Sequence, residues 1–68
     1  MTKSDYSKKA KKTLRVMFEL YDDLSDNMNV YSRSDDVLEA LSRAIFCVGY
    51  SVCPADCLSV DDMRKWVQ

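Results

Sequence analysis

The stretch "AIFCVGYSVC", residues 44–53, decides the fold. It is apolar on every side, so its own periodicity fits a buried strand over 45–53 as well as a buried helix. The residues ahead of it favour the helix. Val37, Leu41, Ala44, Ile45, Val48 and Val52 recur at three- and four-residue steps, which aligns them along one side of a helix. The stretch continues that pattern, and a helix that is apolar all round is one buried on most sides. Gly49 weakens it locally. Pro54 lacks the N–H that another turn needs, so the helix is expected to end at or before Cys53.

Beyond Pro54, "LSVDDM" carries the signals of a new helix start. Ser59 is an N-cap with Asp62 three residues on, and Leu58 and Met63 hold the two positions of a hydrophobic staple. Asp61 and Asp62 suit the positive end of the helix dipole, and Arg64 and Lys65 the negative end. A short third helix over Val60–Val67 follows, with Val60, Met63 and Val67 inward. "CPAD" is then a connection between helices.

Ahead of residue 44, the loop over 27–34 has Asn and Ser turn chemistry. The second helix opens near Ser32 or Ser34, where Ser32 and Asp35 have capping-box spacing. The first helix covers residues 4–27 with Ser4 as N-cap. Tyr6, Ala10, Leu14, Met17, Tyr21, Leu24 and Met28 form its stripe, and Val16, Phe18 and Leu20 widen it. Lys8, Lys12, Arg15, Glu19, Asp22 and Asp26 fall opposite. Its lysines crowd the positive end of the dipole and its aspartates the negative end, which costs about 0.3–1 kcal/mol per badly placed exposed charge. Such charges serve a partner or a neighbouring helix.

Composition agrees with this plan. One glycine and one proline in 68 residues leave few turns for a sheet. A hydrophobic share of 47% suits a packed chain, not a disordered one. The fold class is therefore all-α: one domain over 1–68, residues 1–3 a disordered lead, two longer antiparallel helices and a short C-terminal one. No apolar run reaches the roughly 18 residues that span a bilayer. The basic start has no apolar stretch after it, so no signal peptide is expected and the chain reads as cytoplasmic, its thiols reduced.

Chemistry is thinly supported. Cys53 and Cys57 are four apart, with Cys47 behind them and Asp56 between. A structural zinc site wants four ligands, and a redox pair is normally C-x-x-C after a strand. Small buried apolar residues at a helix junction are the plainer account. No histidine is present for general base work, and one glycine cannot build a phosphate loop. The Asp22–Asp23, Asp35–Asp36 and Asp61–Asp62 pairs diverge by about 100° on a helix. No catalytic residue, cofactor, metal or small-molecule substrate is expected.

Charge is more telling. Residues 1–15 hold Lys3, Lys8, Lys9, Lys11, Lys12 and Arg15 against Asp5, a net of +5, and the other four basic and ten acidic groups give the rest a net of −6. The basic set Lys8, Lys9, Lys11, Lys12 and Arg15 suits a solvated face, an acidic protein partner or phosphates. A helix-turn-helix reader in the third helix would place Asp61 and Asp62 against phosphate, which repels. Trp66 lies one position off its stripe, and Phe46 and Tyr50 lie off theirs, one turn apart. Such apolar surplus marks an interface, and a two-fold homodimer is its commonest form.

Two fragments, "MTKSDY" (residues 1–6) and "LSDN" (24–27) followed by "VYS" (30–32), look similar to stretches of the Hha/YmoA family of small helical nucleoid-associated regulators. The likeness covers under a quarter of the chain, the fragment spacing differs, and the family's Asp–His–Arg segment is missing. It implies a small regulator that acts through a larger DNA-binding partner, and it assigns no residue a role. The expected function is a non-enzymatic protein that binds another protein and modulates its activity, anchored by Phe46, Tyr50 and Trp66 and steered by the basic set. The alternatives are a nucleic-acid-associated regulator using the same lysines, and a thiol or metal protein.

Overall fold

The computed structural model describes residues 1–27 and 33–68. Three helices form, α1 (Lys3–Asp26), α2 (Ser34–Val52) and α3 (Val60–Val67), with no strand among the described residues. Residues 45–52 are helical straight through Gly49, so the strand alternative falls. The Cys53 N–H donates to the Gly49 carbonyl at 2.8 Å, and the helix stops where Pro54 has no N–H to give.

The start of α1 differs from expectation. Thr2, not Ser4, is the N-cap: its hydroxyl accepts from the Asp5 N–H at 3.1 Å, and the Asp5 carboxylate accepts from the Thr2 N–H at 3.3 Å. Ser4 has only Ser7 three residues on, which offers no carboxylate to complete such a box. At the other end Asn27 caps the helix, its side-chain amide donating to the Asp23 carbonyl at 2.9 Å. The expected Ser32 cap and the Met28 stripe position lie outside the described residues. The α2 N-cap is Arg33, which makes no side-chain capping bond, and Ser34 is buried as the first helical residue.

The core is Leu14 and Phe18 from α1, Ile45 from α2, and Met63 and Val67 from α3, with Ala10 also buried. Val16 and Leu20 do not join it and stand exposed. They sit two residues either side of Phe18, a rotation of about 200° from a buried position, so the stripe is narrower than expected. The pair α1–α2 is antiparallel: the Tyr6 hydroxyl, near the start of α1, lies 3.1 Å from the Ser51 hydroxyl at the end of α2.

Gly49 is what lets α3 seat on this hairpin. It is buried, and a Cβ there would overlap the Met63 sulfur and methyl carbon and lie 3.4 Å from its Cγ. Met63 is fully buried in return. The expected staple does not form, because Met63 is taken up by this gap and Leu58 stays 83% exposed. The N-cap does form: the Ser59 hydroxyl accepts from the Asp62 N–H at 3.3 Å, and the Asp62 carboxylate accepts from the Leu58 N–H at 3.0 Å.

Two arginines then fix α3 along α1. Arg15 donates through Nε and Nη2 to the Val67 carbonyl at 2.9 and 2.7 Å, which satisfies an acceptor at the end of α3 that has no helical partner. Arg64 donates through both terminal nitrogens to the Asp22 carboxylate, each at 2.8 Å, with its guanidinium 4.6 Å from the Phe18 ring centroid. Arg15 and Asp22, read as an outward face, are the edge on which α3 lies.

Replacing Gly49 by Ala is expected to lower the free energy of unfolding by about 1 kcal/mol. Overpacking of about 1–3 kcal/mol around Met63 outweighs the about 0.5–1 kcal/mol that alanine brings to a helix interior. Urea denaturation reads the net sign. Asp22→Asn is expected to cost about 0.5–1 kcal/mol at neutral pH, because the ion pair is well formed yet partly solvated. Its pH dependence follows from the hydrogen bonds of Arg64, and secondarily its charge, which hold the Asp22 carboxyl below the usual aspartate range against partial desolvation. The folded pKa is the lower one, so the stabilisation is complete above the unfolded pKa and is lost as pH falls through the folded value. Wild type and variant should differ by a constant amount from about pH 5 to 8 and converge below about pH 4. Denaturation midpoints across that range check this.

Candidate interaction surface

Phe46 and Tyr50 lie one turn apart on α2, and their rings stack at 5.8 Å between centroids and 20° between planes. Each is 45% exposed. Stacking at this spacing follows from the i, i+4 geometry of a helix, and the rings stay outside because Ile45 and Gly49 face inward. Phe46 forms the lip of a groove of about 250 Å³ whose walls include Phe18, Tyr21, Ile45, Val60 and Arg64. The Asp22 clamp holds the Arg64 wall in place.

Trp66 is placed elsewhere. It is half-buried, packs against the core, and has the Lys11 ammonium 5.1 Å from its ring centroid. Its exposed part borders a second depression with Pro54, Cys57, Asp62 and Lys65. Of the three expected anchors, Phe46 and Trp66 therefore border different depressions, and Tyr50 is tied to the first only through its stack on Phe46.

The basic set also divides. Arg15 is committed to the Val67 carbonyl and Lys11 to the Trp66 ring. Lys8, Lys9 and Lys12 are exposed, and among the described residues no lysine makes an ion pair. The antiparallel hairpin turns the charge asymmetry of the sequence into two poles. The lysines stand at one end, and Asp22, Asp23, Asp26, Asp35 and Asp36 at the other, on a body 39 Å long.

The thiols are all free, Cys47 exposed and Cys53 and Cys57 partly covered. Partial desolvation, then the neighbouring Cys53, then Asp56 and Asp62, push the Cys57 thiol above its ordinary value. A raised pKa lowers the thiolate fraction, the form that attacks and that binds metal. The Cys57 N–H donates to the Pro54 carbonyl at 3.0 Å, closing an ordinary turn. Among the described residues no three side chains of the metal-binding types converge, and no helix is long and apolar enough to cross a membrane.

Sequence reasoning missed the groove and the role of Arg64 in walling it. The one available signal was Arg64 lying a turn from Val60 and next to Met63 on a short helix, where it has to flank the buried stripe. No family model, curated protein or solved structure matches the chain.

Proposed function

We propose that the chain is a small, non-enzymatic, cytoplasmic protein that works as a homodimer and modulates another protein by binding it. The observation that carries this reading is the Phe46–Tyr50 stack, two half-exposed rings of which Phe46 borders a groove that Phe18, Ile45 and Val60 also line. Aromatic side chains beside a pocket are the usual anchors of protein interfaces. Lys8, Lys9 and Lys12, unpaired within the described residues, would steer an acidic partner. Trp66 contributes at the rim, since the core and Lys11 already hold much of its ring.

A second reading rests on those same lysines. Three unpaired cations at one pole suit a phosphate backbone as well as an acidic protein. Tyr6 is exposed beside them, but its hydroxyl bonds to Ser51, so base stacking by its ring has little support.

In an affinity pull-down from the native host, the Phe46→Ala, Tyr50→Ala double variant should lose the partner that the wild type retains. Folding stability should fall by no more than about 1.5 kcal/mol, the value of an aromatic pair. Retention of the partner by the folded variant would reject the groove as the docking place. Duplex DNA mixed with wild type at about 50 mM and about 200 mM salt separates the second reading, which requires binding at the lower concentration that is lost at the higher.

A further inference from the structure

The outer face of α1 carries a pattern that neither the core nor α3 uses. Lys9, Lys12, Val16, Leu20 and Asp23 follow at steps of three, four, four and three residues, so they form one stripe, and all are exposed. Lys8 and Asp26 flank its two ends, also exposed. Along the helix the stripe reads cationic, then apolar, then anionic. Val16 is 58% and Leu20 45% exposed, which leaves branched aliphatic carbon in water at its middle.

We propose that this face is a two-fold interface with a second copy of the same chain, α1 against α1 in antiparallel register. This names the surface for the homodimer proposed above and does not depend on the Phe46–Tyr50 groove. Self-complementarity is the argument. Lys12 and Lys8 lie five and nine residues before position 17, and Asp23 and Asp26 lie six and nine residues after it. A two-fold axis near that position sets Lys12 opposite Asp23 and Lys8 opposite Asp26, twice over, with Val16 and Leu20 meeting at the centre. An isologous interface requires that kind of symmetry of a single patch. None of these four charges has an ion-pair partner within the described residues.

The helix dipole points the same way. Alone, α1 has lysines at its positive end and aspartates at its negative end, an unfavourable arrangement. An antiparallel copy brings carboxylates to the lysine end and ammonium groups to the aspartate end, and it opposes the two dipoles. The patch is one helix face wide, so the dimer belongs with small, transient interfaces, weakened by salt.

Charge reversal tests the register. Lys8→Glu with Lys12→Glu makes one all-acidic face, and Asp23→Lys with Asp26→Lys makes one all-basic face. All four sites are exposed, and circular dichroism confirms that the variants stay helical. By sedimentation equilibrium at low salt the wild type should dimerise, and each variant alone should associate at least about tenfold more weakly. An equimolar mixture of the two should form a 1:1 heterodimer, because every reversed pair is then restored. Leu20→Asp should abolish the wild-type dimer. A wild type that stays monomeric up to about 1 mM overturns the face and the homodimer together. A dimer that survives both charge-reversed variants but is lost on Phe46→Ala with Tyr50→Ala overturns the α1 face alone. A mixture that fails to associate also overturns it.

Discussion

Met63 occupies the space that Gly49 leaves open, and the third helix depends on that contact. Two antiparallel helices alone expose a long apolar seam. α3 has only eight residues, too few to be stable without packing, and it closes the seam by placing a fully buried thioether where α2 has no side chain. A flexible, polarizable side chain suits such an irregular gap. Val67 completes the core beside it, and Val60 packs partly against it.

Once α3 is seated, polar chemistry at its edges fixes its direction. Arg15 takes up the Val67 carbonyl at one end, and Asp22 takes up Arg64 nearer the other. Both partners on α1 come from what reads as its outward face, seven residues apart, or about two turns. The groove beneath Phe46 is a consequence: it lies where the short α3 begins, and the clamped Arg64 forms one wall. Among the described residues, the same placement leaves uncovered the Phe46–Tyr50 stack on α2 and Val16 with Leu20 on α1. As proposed above, these surfaces of different make-up would serve two different associations, a heterologous partner at the groove and a second copy on the charged stripe.

The cysteines, which stand out when the chain is read, recede once it is folded. "CPAD" closes a turn, Cys57 is held away from its thiolate, and Cys47 is a solvent-facing residue of α2. Charge gains in meaning. The basic first segment and the aspartates at the end of α1 and the start of α2 become opposite ends of one elongated body, because the hairpin returns α2's acidic start to α1's acidic end.

Local chemistry by itself determined that this chain makes helices, where two of them stop or start, and that it carries surplus apolar surface. Pro54 ends α2 because it lacks an N–H, and Ser59 opens α3 because its hydroxyl accepts from Asp62 three residues on. Those causes act within four residues, so the sequence shows them directly. Even here Thr2 outcompeted Ser4, through a carboxylate at the right spacing. Only the tertiary structure decided that Gly49 is a packing site, that Leu58 stays in water while Met63 is buried, that Arg15 is spent on α3, and that Phe46 and Trp66 border different depressions. Each of these depends on which helix lies beside which residue. That is settled by the burial of the whole core at once, and no short stretch of sequence contains it.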